Sequence, residues 1–157
     1  MNFEHIYKTY WPKVFRLCMG YVNNADTAKD LSQDTFLKIF QQLPKFRNES
    51  SIATWIFRIA SNTCLRQIQN DNKMPKSEFP IHLKAEVADL NMEHDLKFLY
   101  QCISELKEVD RIIISLELED VNQKEIAKIV GLSEGNIRVK IHRIKEKLTI
   151  KFRNLEN

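Results

Sequence analysis

The side chains best suited to chemistry lie in "GLSEGNIRVKIHRIKEKL", residues 131–148. Ile137, Ile141, Ile144 and Leu148 recur at the spacing of one helix face, so we expect them to be buried. The other faces carry arginines, which can bond guanine O6 and N7 bidentately, and lysines, which contact phosphates. The expected DNA-contacting residues are Glu134, Asn136, Arg138, Val139, Lys140, His142, Arg143, Lys145 and Lys147.

Turn and capping signals around this segment predict a helix-turn-helix. Asn122 can cap the helix that follows it, with Glu125 returning the bond in a capping box. Gly131 suits a turn residue with positive φ, and Ser133 can cap the second helix, which in such a motif lies in the major groove. The alternative is a solvated basic helix in a bundle. We do not expect His142 to bind a metal, because no second ligand is suitably spaced.

Composition and charge indicate a globular, mostly helical protein. The 157 residues are 43% hydrophobic and 29% charged, with three glycines and four prolines. The net charge is only +3, but residues 133–153 carry +5 and residues 86–120 carry −7. One surface can therefore attract polyanions while another repels them. No Gly-rich phosphate loop, metal-ligand spacing or nucleophile–base pair suggests an enzyme, and no cofactor is expected.

The cysteines and the N-terminus indicate where the protein works. Cys18, Cys64 and Cys102 lie among apolar neighbours without zinc-site spacing. Their odd number, without a signal peptide, predicts buried, reduced thiols. No apolar run approaches the length of a membrane span. We therefore expect a soluble, cytoplasmic protein without membrane insertion.

Hydrophobic periodicity predicts an all-α fold of two small helical domains joined by a flexible linker. Pro12 is expected to kink or restart the first helix near Trp11. The C-terminal domain contains the helix-turn-helix. The predicted ranges are helices at 3–21, 23–43 and 52–69 in an N-terminal domain (1–70), a linker (71–90), and helices at 91–106 and 108–119 before the helix-turn-helix in a C-terminal domain (91–157).

Three stretches together resemble the extracytoplasmic-function (ECF) sigma factors of bacterial RNA polymerase. They are "AKDLSQDTFLKIF" (28–40), "FRNESSIATWIFRIASNTCLRQI" (46–68) and "EIAKIVGLSEGNIRVKIHRIKEKL" (125–148). The resemblance implies a non-enzymatic subunit that directs core polymerase to specific promoters. Its expected partners are core RNA polymerase, promoter DNA and an anti-sigma factor. The N-terminal domain would open the minus-ten element while the C-terminal domain reads the minus-thirty-five element.

The resemblance also implies residue roles in the N-terminal domain. Asp30, Gln33 and Asp34 match the helix that docks on polymerase and are expected on one exposed side, although an ordinary solvated face would explain them equally well. Trp55 is expected in the core. Arg66 and Val139 depart from residue types common in the family. The expected minus-ten contacts are Arg47, Asn48, Glu49, Ser50, Ser51, Arg58, Asn62 and Arg66.

Two binding functions compete with this interpretation. A stand-alone helix-turn-helix regulator would bind a symmetric operator tightly without polymerase, and its N-terminal half would serve for dimerisation or effector binding. An interaction module such as an anti-sigma protein would not need base-reading arginines.

Overall fold

The computed structural model describes residues 2–67 and 93–156, and these residues contain α-helices and no β-strand. The predicted all-α fold is therefore confirmed. The predicted linker at 71–90 lies outside the described residues, as do the boundaries predicted at 70 and 91. The helices are α1 (Phe3–Val22), α2 (Ala25–Gln42), α3 (Ile52–Arg66), α4 (His94–Ser104), α5 (Glu108–Leu118), α6 (Gln123–Val130) and α7 (Glu134–Glu156).

The N-terminal domain, α1 to α3, is built around aromatic side chains. The Tyr7 ring lies 5.3 Å from the Trp11 ring along α1 and 5.0 Å from the Phe36 ring of α2. α1 continues through Pro12 without a restart. Proline removes one backbone hydrogen bond, but burial of Trp11 and Val14 on either side of it favours the continuous helix.

Side-chain caps fix where α2 and α3 begin. The Asn24 side chain accepts a hydrogen bond from the Thr27 amide at 2.9 Å, and Ser51 Oγ accepts one from the Thr54 amide at 3.2 Å. Such caps satisfy amides that have no partner within the helix. The cap of α3 also ends the loop that begins at Phe46, so it positions the expected minus-ten contacts.

The C-terminal domain forms the predicted helix-turn-helix. Asn122 caps α6 by accepting from the Glu125 amide at 2.9 Å, and Gly131 has φ +76° at the turn. Ser133 Oγ accepts from the Asn136 amide at 3.1 Å and starts α7. The returning half of the capping box is wrong, because the Glu125 carboxylate accepts instead from Thr54 Oγ1 in α3, at 2.6 Å. The buried stripe of α7 is confirmed at Ile137, Ile141, Ile144 and Leu148.

The two domains pack against each other, which the sequence did not predict. α1 lies against α4 and α5, and α3 lies against α6. Arg16 in α1 forms a two-pronged ion pair with Glu119, with Nη2 and Oε2 at 2.9 Å. Arg111 in α5 donates to the Tyr21 carbonyl at 3.2 Å, and its guanidinium lies 5.5 Å from the Tyr21 ring centre. The buried apolar residues of both domains consequently form one continuous cluster.

Candidate nucleic-acid interface

The outward side of α7 carries most of the polar residues predicted to contact DNA. Arg138, Val139, His142 and Arg143 are exposed, opposite the buried stripe that packs α7 on its own domain. Glu134 and Asn136 are exposed in the first turn. The structure therefore presents the N-terminal half of this helix to solvent, as reading of a DNA groove requires.

The cations of α7 fall into two groups that the sequence did not separate. Lys140 Nζ lies 3.3 Å from Asp110 Oδ1, and Lys145 Nζ lies 3.4 Å from Glu117 Oε1, both carboxylates belonging to α5. Arg138, Arg143 and Lys147 have no ion-pair or hydrogen-bond partner for their side chains within the described residues. These three cations are thus available to an external polyanion without breaking an internal pair.

Several carboxylates of the acidic segment form ion pairs with lysines of α7. Besides Asp110 and Glu117, Glu105 pairs with Lys151 near the end of α7. These carboxylates bind the inner edges of the basic helix and leave its outward face positive. The segregation of charge along the sequence therefore serves packing within the C-terminal domain as well as the surface potential.

A second polar face lies on α3. Ser51, Arg58, Asn62 and Arg66 follow at helical spacing on the side turned away from the core. Asn62 and Arg66 are exposed, and Arg58 is half-buried. The Asn62 amide has no hydrogen-bond partner within the described residues, so its donors and acceptor remain available. This face has the components for binding a single strand, which are cations for phosphates and an amide for a base edge.

The loop before α3 continues this face. Arg47, Asn48 and Glu49 are exposed, and Ser50 is half-buried. Asn48 takes a left-handed conformation with φ +57°, which asparagine tolerates better than most residues. The backbone thereby turns directly into the Ser51 cap, so the loop and the helix form one surface.

The aromatic residues of α3 contribute mainly to packing. Trp55 is half-buried, and its ring lies 4.8 Å from the Phe46 ring, which closes the loop onto the helix. Phe57 is buried against Tyr10. Phe57 is therefore a core residue, while Trp55 packs on Phe46 and keeps part of its surface exposed.

Lys38 also belongs to this region, although no motif or spacing singled it out. Its ammonium donates to Thr63 Oγ1 at 3.2 Å and so links α2 to α3. Burial lowers the pKa of Lys38, and the positive charge of Arg66 lowers it further, while Asp34 opposes both effects. Lys38 therefore couples the predicted polymerase-docking side of α2 to the polar face of α3.

The predicted docking residues are less exposed than expected. Asp30, Gln33 and Asp34 are each only partly accessible. α2 packs against both α1 and α3, which cover its flanks and leave a narrow outer edge. All three side chains reach the surface on one side of α2, and their role in docking stays a prediction.

The cysteines are buried, as predicted. Cys18 in α1 and Cys64 in α3 lie with their sulfur atoms 3.7 Å apart, and Cys102 is buried separately in α4. The thiol hydrogen bond to Cys18 and burial raise the pKa of Cys64, and burial raises the pKa of Cys102. A raised pKa keeps these groups as unreactive thiols at neutral pH.

Within the described residues, histidine, cysteine and carboxylate side chains nowhere cluster in a group that could bind a metal. No helix in the same residues combines the length and the apolar character needed to cross a membrane.

Two family models match the two domains in the expected order. Residues 6–73 match Sigma-70 region 2, and residues 99–148 match Sigma-70, region 4. These two matches define a transcription initiation factor. The chain belongs to the sigma-70 family.

Similar proteins extend this assignment over nearly the whole chain. RNA polymerase sigma factor YlaC of Bacillus subtilis is 28% identical, covering 94% of this chain and 90% of the relative. The ECF RNA polymerase sigma-E factor of Haemophilus influenzae is 28% identical, with 98% and 88% covered.

Solved structures show the same fold at lower identity. The sigma factor RpoE of Bartonella quintana, in complex with the anti-sigma factor NepR, has a TM-score of 0.74 at 21% identity and covers 96% of each chain. CnrH, in complex with the cytosolic domain of CnrY, has a TM-score of 0.70 at 16% identity and covers 97% of this chain and 88% of that one.

Proposed function

We infer that the protein is an RNA polymerase sigma factor of the ECF type, which directs core polymerase to specific promoters and helps to open the DNA. The observation that carries this inference is the pairing of two domains, each matched over most of its length by the corresponding sigma-70 region. Relatives named as ECF sigma factors match over both domains. A stand-alone regulator would account only for the helix-turn-helix.

The proposed minus-thirty-five contacts are those predicted on α7. Arg138 and Arg143 are the proposed base readers, because both are exposed, unpaired within the described residues and able to bond guanine bidentately. Lys147 is the strongest proposed phosphate contact, because its side chain is exposed and unpaired within the described residues. Lys140 and Lys145 bind α5 carboxylates, so a phosphate must compete with an internal partner for each of them. We therefore assign these two lysines a weaker contribution than the sequence suggested.

The proposed minus-ten surface is the loop at 47–50 together with the outward side of α3. Asn62 lies between Arg58 and Arg66, so one amide is flanked by two guanidinium groups one helical turn away. This arrangement suits a displaced strand whose phosphates follow the arginines while one base meets the amide.

The proposed partners follow from the same assignment. Asp30, Gln33 and Asp34 are proposed to contact core polymerase along the outer edge of α2. An anti-sigma factor is a proposed regulator, supported by the structurally similar sigma factor RpoE, which was solved in complex with the anti-sigma factor NepR. We further propose that the protein acts in the cytoplasm, without enzymatic activity or cofactor.

Reconstituted transcription tests the function. Core polymerase from the source bacterium is assayed on genomic DNA fragments with and without the protein, and initiation at defined sites is expected only when the protein is present. Asn62→Ala should retain closed-complex formation but reduce permanganate-detectable melting, whereas Asn154→Ala, an exposed amide at the far end of α7, should melt promoters normally. Tight binding to a palindromic site without polymerase, and no initiation with it, would establish the stand-alone regulator instead.

A further inference from the structure

The outward side of α7 contains an apolar strip among its charges. Val139 stands two residues after Ile137 and two before Ile141, so it points away from the buried stripe. Its side chain is 46% exposed. A single exposed valine is common and by itself implies no function. Its position at the centre of a proposed DNA-reading surface is what needs an explanation.

Gly135 lies one turn earlier on the same side. A Cβ added at Gly135 would meet nothing within 4 Å, and the residue is helical without positive φ. Packing and backbone conformation therefore provide no reason for glycine. Glycine costs a helix interior about 1 kcal/mol relative to alanine. Where the fold does not require it, glycine allows another molecule to approach the backbone closely.

Charged groups enclose this strip. Arg138 and Arg143 are exposed on its two sides without partners in the described residues. At its C-terminal end, His142 Nε2 lies 3.0 Å from Glu146 Oε1. The strip is thus one helical turn long, apolar, low in profile, and flanked by groups that hydrogen-bond guanine.

In the major groove, the thymine C5-methyl is the base substituent that an apolar side chain recognises. We propose that Val139 contacts the C5-methyl of a thymine in the minus-thirty-five element, and that Gly135 lets the first turn of α7 approach the base edges closely enough for this contact. The proposal rests on the proposed sigma function. It assigns the central position of the helix to thymine and leaves the flanking guanine contacts to Arg138 and Arg143.

Removal of single methyl groups from the DNA tests the contact. A promoter is first selected with holoenzyme from a library randomised at minus-thirty-five, and each thymine is then replaced in turn by deoxyuridine. Loss of one buried methyl contact should weaken holoenzyme binding about fourfold at one position. With Val139→Ala holoenzyme, whose shorter side chain reaches less of the methyl group, the same replacement should have a clearly smaller effect. With Lys147→Ala holoenzyme, binding should be weaker throughout but retain the fourfold ratio.

Gly135→Ala supplies an independent readout. Because the added methyl has open space in the free protein, the variant should be at least as stable as the wild type, yet it should bind the selected promoter several-fold more weakly. If Gly135→Ala binds the promoter as tightly as the wild type, the proposed close approach of α7 to the base edges is wrong.

Two results would overturn the thymine contact. The first is an insensitivity of wild-type holoenzyme to every deoxyuridine replacement, and the second is an equal sensitivity of Val139→Ala. Failure of the sigma function itself looks different, because holoenzyme would then select no promoter from the library.

Discussion

Replacing Gly20 by alanine tests whether the two domains pack together in solution. Gly20 lies in α1, and a Cβ added there would overlap Ser115 Oγ of α5 and approach Ser115 Cβ to 3.3 Å. Ser115 Oγ is buried and has no hydrogen-bond partner among residues 2–67 and 93–156, so it can rotate away at little cost. The 3.3 Å distance between the added Cβ and Ser115 Cβ remains after that rotation, and relieving it requires α1 and α5 to move apart by a few tenths of an ångström.

Two opposing contributions, helix propensity and overpacking, set the expected change in the free energy of unfolding. Alanine stabilises a helix by about 1 kcal/mol relative to glycine, and overpacking a filled contact costs about 1–3 kcal/mol. If the domains pack as described, Gly20→Ala should lower the free energy of unfolding by up to about 2 kcal/mol. If α1 and α5 are apart, only the helix term remains and the variant should be more stable than the wild type. The sign therefore distinguishes the two arrangements.

Urea denaturation followed by far-ultraviolet circular dichroism measures this difference. Gly135→Ala is the matched control, because its added methyl meets no neighbour and should not destabilise. Ser115→Gly removes both the hydroxyl and the Cβ that the added methyl would meet. In combination with Gly20→Ala it should recover part of the loss, giving a coupling energy of about 0.5–3 kcal/mol. A Gly20→Ala protein more stable than the wild type, with no coupling to Ser115→Gly, would refute the packing argument.

Three further predictions concern single groups. Arg138→Ala and Arg143→Ala should each cost about 1–3 kcal/mol of promoter-binding free energy and relax specificity at particular minus-thirty-five positions. Lys147→Ala should weaken binding to all promoters alike and reduce its salt dependence by about one phosphate contact. If all three variants lower binding by one common factor across a promoter library, α7 binds DNA through its charge without reading bases. The bond from Thr54 lowers the pKa of Glu125, so its stabilisation is present above the ordinary carboxyl pKa and is lost as the pH falls through the folded value. Wild-type protein should therefore lose more stability than Glu125→Gln on acidification from about pH 6 to about pH 3. Urea midpoints that fall in parallel for the two proteins over this range would contradict the prediction. Cys18, Cys64 and Cys102 should react with Ellman's reagent only after unfolding, and rapid labelling of the native protein would show that their burial is transient.

Local chemistry explains why the helix-turn-helix was predictable nearly to the residue. Asn122, Gly131 and Ser133 act within one turn of their own positions, through a cap, a positive φ and a second cap. The buried isoleucines of α7 follow from periodicity alone. Sequence rules of this kind succeed where the competing interactions lie within a few residues.

The errors arose where a distant residue competes for the same group. Glu125 fits a capping box, but Thr54, 71 residues earlier, donates to its carboxylate instead. For the same reason, the α5 carboxylates that pair with Lys140 and Lys145 could not be predicted, although the DNA contacts of these lysines stay a prediction. Spacing along a helix identifies the face of a side chain, and only tertiary packing identifies its partner.

The proposed function requires the packed domains to separate. Elements at minus ten and minus thirty-five lie about 25 base pairs apart, or roughly 85 Å at about 3.4 Å per pair. A folded body of about 130 residues has a radius of gyration of only about 14 Å, so the packed arrangement cannot reach both.

The polar contacts between the domains are suited to such a separation. The Arg16–Glu119 pair is partly exposed, and pairs of that kind contribute about 0–1 kcal/mol. The Thr54–Glu125 bond joins the first turn of α3 to the first turn of α6, beside Ser51 of the proposed minus-ten surface. Breaking it removes one polar contact that holds α3 against α6. If promoter binding requires the domains to separate, a variant that weakens this contact, such as Glu125→Gln, should favour promoter binding as it lowers stability, and an unchanged promoter affinity of holoenzyme with Glu125→Gln would contradict this.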